Sequence, residues 1–303
     1  TIKTSFYIVY QTVNTCVNTY FQILFFSLFP TCGNLILKYF LKEFNAMKEK
    51  IYTIPLMDAF RAQDECPFCF IERNLEQHAM DFVLGSGASY MEDDVRAETD
   101  KIGFCRTHYK KMFDYGNRLG TGLILTTHFK KKNEELKQQI KMYSPAKASV
   151  LGHFKKTKVD AENPRTNIGA WVKEQTASCY ICDYYKNTYN RYLDTFFELY
   201  RKSPEFQELL KNSKGFCIPH FADLVETGDT LPSDKEKQSF YGYLFPLMEH
   251  NLQRVTEDLE WFCDKFDYKN KDADWKNSRD AIQRGMQKAA GGYPADPVYK
   301  AEK

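Results

Sequence analysis

The sequence predicts an all-α protein made of two related helical modules, each stapled by a metal site of three cysteines and one histidine. Three observations carry this reading. Apolar residues recur at helical spacing along most of the chain, and no stretch alternates in the β manner. A Cys-x-x-Cys pair followed by Gly-Phe-Cys-x-x-His occurs twice. The pair and the third cysteine are separated by 36 positions in the first half (105 − 69) and 35 in the second (217 − 182). Two matched sets at nearly equal spacing point to an internal duplication.

In chain order, residues 1–46 stand apart. They hold Lys3, Lys38, Lys42 and Glu43 as their only charges and are rich in Phe, Tyr, Ile, Asn and Thr. Tyr20–Leu41 is long and apolar enough to suggest a membrane helix, but Pro30, Gly33, Asn34 and Lys38 interrupt it. A signal peptide lacks its charged start and small-residue cleavage site. The reading preferred here is translation of AT-rich DNA upstream of the true start. Met47-Lys48-Glu49-Lys50 resembles a bacterial opening, and Lys42-Glu43 can be encoded by the ribosome-binding sequence AAGGAG. From Met47 the chain has 257 residues (303 − 46), with 39 bases (42 − 3) against 39 acids (40 − 1).

Residues 47–143 form the first expected module. Ile71, Leu75, Met80 and Val83 follow the first cysteine pair at helical intervals until Gly85-Ser-Gly87 stops the run. Glu92-Asp93-Asp94 reads as a solvated acidic helix start rather than a cation site. A longer helix is expected over Leu123–Met142, with Lys130-Lys131-Lys132 on its solvated face. Residues 144–167, with Pro145, Gly152 and Pro164, read as a linker. The second module, 168–290, is expected to hold a helix from the second pair up to Pro204, another over Ser239–Phe266, and a last one over Asn277–Ala289. Some ten extra residues around Gly228–Lys237 are expected in a loop, where insertions cost little. Residues 291–303 read as a disordered tail.

The candidate ligands are Cys66, Cys69, Cys105 and His108 in the first set, and Cys179, Cys182, Cys217 and His220 in the second. Three thiols and one imidazole complete the coordination of a tetrahedral zinc ion, and the absence of an open position argues for a structural site. Each motif falls at an expected helix start, where the positive helix end favours thiolate. Gly103 and Gly215 are placed to turn the backbone ahead of the third ligand. Each site is expected to close within its own half; a swap, joining the pair of one half to the Cys-x-x-His of the other, is equally compatible with the ligand count. An iron–sulfur cluster or a thiol redox centre could use the same residues. Cys263 is expected as a buried small residue, and His128 and His250 as matched, buried helix histidines. Asn270-Lys-Asp272-Ala-Asp274 faintly resembles a calcium loop but lacks its glycine and closing Glu.

From about Ile54 to Lys288 the chain resembles a domain-of-unknown-function family of anaerobic, low-GC bacteria. The resemblance rests on Ile54-Pro55 with Asp58-Ala59-Phe60, on Cys66-Pro-Phe-Cys69, on the two Gly-Phe-Cys-x-x-His sets, and on Leu119-Gly120 to Leu123. It implies a bacterial origin and a start at Met47, and gives the metal ligands by analogy; the family name carries no activity. Tyr180 departs from Pro67 of the first set, without expected harm to metal binding.

The composition excludes some roles. With 42 Lys+Arg against 40 Asp+Glu, the chain lacks the positive excess of a nucleic-acid binder. No catalytic triad or carboxylate pair stands out, which leans against an enzyme. The expectation is a cytoplasmic, zinc-stabilised scaffold with two zinc ions and a protein or small-molecule partner, off the membrane if Met47 is the start.

Overall fold

The computed structural model describes residues 51–145, 160 and 162–292. The chain divides into two units, Thr1–Ile54 and Pro55–Lys303. Only residues 51–54 of the first unit are described, so the Tyr20–Leu41 segment, the proposed upstream translation and most of the expected linker and tail lie outside the described residues. Among those residues all regular structure is helical, as expected, and no helix is long and apolar enough to cross a membrane.

In the second unit, a helical run over 55–61 precedes α1 (Pro67–Leu84), which starts on Pro67, a residue with no N–H to leave unsatisfied. It buries Phe68, Ile71, Leu75, Ala79, Met80 and Val83 along one face. It ends where Gly85 N–H bonds Asp81 O at 2.8 Å. Helix α2 (Asp93–Ile102) places Asp93 and Asp94 in its first turn, as the acidic start predicted. Gly103 then reverses the chain at φ +72° and leads to α3 (Arg106–Tyr115). The Asn117 side chain caps α4 (Arg118–Met142) by accepting from Gly120 N–H at 2.9 Å. The chain continues with α5 (Asn167–Ala177), α6 (Tyr180–Lys202) and α7 (Pro204–Lys211). Next come α8 (Ile218–Gly228), α9 (Asp234–Asp264) and α10 (Ala281–Ala290).

The central pair is α1 and α6, which run past each other in opposite directions. Phe68, at the start of α1, stacks edge-on against Tyr189 (centroids 5.5 Å) and near Phe196 (5.8 Å), well along α6. Ile181, at the start of α6, packs with Ala79, Met80 and Val83 near the end of α1. A cluster of fully buried phenylalanines fills the space around the start of α1. Phe60, Phe196, Phe206 and Phe216 make ring contacts at 4.9–6.2 Å.

Several expectations need correction. Pro204 does not only end α6; with Ser203 as its cap it opens α7, because proline is at home in a first turn. The insertion is only partly in a loop. Asp229–Ser233 is a loop, but residues 234–237 already belong to the first turn of α9. His250, expected buried, is exposed; the α9 residues against Gly215 are Met248 and Asn251, both buried. His128 itself is half-buried and bonds Asp100 O at 3.1 Å through Nδ1. Cys263 is exposed, because α9 turns Trp261 and Phe262, not the thiol, toward the Lys265–Trp275 loop. In that loop the resemblance to a calcium site is filled by an ammonium: Lys265 Nζ donates to Asn270 O at 2.6 Å and Lys271 O at 3.1 Å.

Candidate metal centres

All four motifs adopt one local form. Cys66, Cys105, Cys179 and Cys217 are the N-caps of α1, α3, α6 and α8, each in extended backbone. The fourth residue of each motif (Cys69, His108, Cys182, His220) lies in the first turn, so two donors share one side of a helix N-terminus. Gly103 and Gly215, at φ +72° and +71°, stand two residues ahead of Cys105 and Cys217. A side chain at Gly103 would put its Cβ 2.9 Å from His128 Cε1, so both backbone and space call for glycine there.

The motifs do not meet within their own halves. Cys66 and Cys69 meet Cys217 and His220, and Cys105 and His108 meet Cys179 and Cys182; within each group the ligand atoms all lie within 4.8 Å of one another. This is the swapped arrangement, and the expected closure within each half is overturned. The reason is the length and direction of α1. His108 reaches α1 at Glu76, roughly 10 Å along the axis from Cys69 at a helical rise of 1.5 Å per residue. The antiparallel partner reaches both places: Cys179 and Cys182 at its start meet His108, and Tyr185 and Tyr189, farther along α6, meet His220.

The first centre has Cys66 Sγ–His220 Nδ1 at 3.4 Å, Cys69 Sγ–His220 Nδ1 at 3.5 Å, Cys217 Sγ–His220 Nδ1 at 3.1 Å and Cys69 Sγ–Cys217 Sγ at 3.6 Å. The second has Cys105, Cys179 and Cys182 Sγ at 3.2, 3.2 and 3.4 Å from His108 Nδ1, and Cys105 Sγ–Cys182 Sγ at 4.0 Å. A tetrahedral ion with Zn–S and Zn–N bonds of about 2.3 and 2.0 Å has edges of roughly 3.5–3.8 Å, and these separations bracket that range. The donor sets therefore fit one small tetrahedral ion each.

Both histidines turn Nδ1 to the thiols, which leaves Nε2–H to donate elsewhere. His108 Nε2 donates to Glu76 Oε1 at 2.8 Å, and Lys111 Nζ holds the same carboxylate at 2.6 Å. His220 Nε2 faces the Tyr185 hydroxyl at 3.4 Å. Such partners orient the ring and raise its basicity. Glu76→Gln is expected to weaken metal binding at the second centre 10–100-fold while sparing the first. Competition with a chromophoric chelator measures this, and equal weakening of both centres would count against it.

The donors also perturb one another. Burial pushes the Cys66 thiol up, but contacts with Cys217, Cys69 and His220 outweigh it and hold Cys66 well below the ordinary thiol range. Burial likewise raises Cys179, yet the His108 contact brings it down to about 6. Contacts with Cys217 and Cys66, with burial, drive Cys69 upward, and burial with the Cys179 charge does the same to Cys182. Burial lowers both imidazoles, but the facing thiols, joined by Glu76 at His108, outweigh it and raise each to about 10. A metal must displace these protons, so affinity at both centres falls as the pH falls.

The two centres are held by different means. At the second, Tyr180 N–H donates to Gly103 O at 2.9 Å and Ser178 Oγ to Ile102 O at 2.9 Å, tying one ligand turn directly to the other. Pro67 stands where Tyr180 does and has no N–H to offer. At the first centre the tie is Lys288 of α10, whose buried Nζ donates to Glu65 O at 2.6 Å, to Lys214 O and to Phe216 O at 3.4 Å. Its charge is balanced by Glu65, which also pairs with Arg254 at 2.6 Å. Lys288→Met strips three carbonyls of their ammonium donor and leaves the buried Glu65 carboxylate with one cation fewer. It is expected to cost about 3–5 kcal/mol in urea unfolding. A loss under 1 kcal/mol would contradict this role.

Sequence reasoning missed Lys288 and Glu65. Their only sequence signal was Arg284, Gln287 and Lys288 recurring on one face of an expected helix, a pattern that ordinarily marks a solvated face. Glu76, Tyr185 and Tyr189 were equally silent, because their role depends on which helices are neighbours.

Residues 47–296 match the model of a family of unknown function, DUF6062. The chain belongs to that family. The matched span holds both centres and all ten helices numbered above. No curated protein and no solved structure matches the chain.

Proposed function

We propose that this family member is a zinc-stabilised helical scaffold, a non-enzymatic protein that acts in the cytoplasm by binding a protein or small-molecule partner. The observation that carries the reading is the compactness of the two donor sets, each fully made of protein ligands. In an iron–sulfur cluster the ligands bond different irons with sulfides between them, which sets the cysteines wider apart. The short separations therefore favour a single ion per site, and the Cys3His donor chemistry favours zinc. Bound there, zinc would supply the positive charge that lets three thiolates share a pocket. Cys66, Cys69, Cys217 and His220 would hold one ion; Cys105, His108, Cys179 and Cys182 the other. The balanced charge supports a partner other than nucleic acid.

Anaerobic purification followed by metal analysis and an absorption spectrum tests the reading. Two zinc ions per chain with no visible absorption is the expected result. A brown protein with iron and acid-labile sulfide would overturn it in favour of a redox role.

A further inference from the structure

The two centres differ in how well they are shielded. All four ligands of the first are buried. Gly291, just past the end of α10, lies over it so closely that a Cβ there would stand 3.6 Å from Cys217 Sγ and 3.8 Å from Cys69 Sγ. Fully buried Phe68 and Phe216 close other sides, with the Phe68 ring 5.7 Å from that of His220. At the second centre only Cys179 and His108 are buried, whereas Cys105 and Cys182 are partly accessible and are the two sulfurs 4.0 Å apart. Among the described residues, α10 and its Lys288 have no equivalent there.

We propose that the second centre is an oxidant-responsive metal site, with Cys105 and Cys182 as its reacting pair, while the first is a permanent staple. This rests on the reading of both centres as zinc sites. One hydrogen peroxide accepts two electrons from the two thiolates and, with two protons, leaves as two waters. A Cys105–Cys182 disulfide forms, two zinc–sulfur bonds break, and the ion departs from the remaining Cys179 and His108. The new bond joins residues 77 apart, one from each half, so the halves stay linked when the metal is lost. The reduced site would be restored by a dithiol reductant and zinc.

The test uses the whole chain carrying Cys16→Ser, Cys32→Ser and Cys263→Ser, which removes the thiols outside both sets. Zinc content is measured first. The protein is then treated with one equivalent of hydrogen peroxide, zinc release is followed with a chromophoric chelator, and disulfides are mapped by peptide mass spectrometry. The expected result is release of one zinc at least tenfold faster than the other, with Cys105–Cys182 as the main linkage. Release of both at similar rates, earlier loss from the first centre, or a different linkage would overturn the proposal. A protein that contains no zinc before peroxide is added would remove the underlying reading and this one with it.

Discussion

Cys217→Ser is expected to remove one metal of two and to loosen the start of α1, although Cys69 lies 148 residues earlier in the chain. Structural zinc sites contribute on the order of 10 kcal/mol of apparent binding energy, comparable with the whole stability of a domain. Losing only half of that would lower Tm by roughly 10–20 °C. The damage should also cross between the halves. Amide exchange should rise over the first turns of α1 as well as α8, while the start of α6, held at the other centre, stays protected. Double variants sharpen the expectation. Cys66→Ser with Cys217→Ser should cost one ion, because both residues serve the first centre. Cys66→Ser with Cys105→Ser should cost both. Closure within each half predicts the opposite pair of results, so metal stoichiometry separates the two arrangements.

Phe68→Ala is the second large effect. The ring is fully buried and touches Tyr189, Phe196, Phe216 and His220 at once. Truncating such a residue costs about 3–5 kcal/mol through lost burial and the cavity left behind. Here the cavity opens beside a ligand histidine, so the variant is expected both to unfold at lower urea and to release metal faster from the first centre. Urea titration with a parallel chelator assay checks both. Destabilisation with unchanged metal release at the first centre would show that the phenylalanine cluster and the ligand shell are independent.

Local features were legible in the sequence because they depend on near neighbours. Cysteine at each helix start, Gly103 and Gly215 with positive φ, and the ends of α1 and α6 all follow from spacing, capping and breakers. Which motif pairs with which did not follow, because spacings of 36 and 35 are compatible with either partner. The choice is made by two long antiparallel helices, which no local pattern encodes. The same holds for His250 and Cys263. Along a 31-residue helix a shift of one position turns a side chain by about 100°, enough to exchange Asn251 for His250 at the buried face. Lys288 escaped notice for a related reason: a charged residue on a terminal helix reads as solvated until the carbonyls it serves are known.

Each centre draws one motif from each half. The most direct measurement is through-bond NMR of the chain loaded with cadmium-113, which couples to the β-protons of coordinating cysteines and to the ring protons of coordinating histidines. One cadmium resonance should correlate with Cys66, Cys69, Cys217 and His220, and the other with Cys105, His108, Cys179 and Cys182. A resonance that correlates with Cys66, Cys69, Cys105 and His108 together would contradict the account.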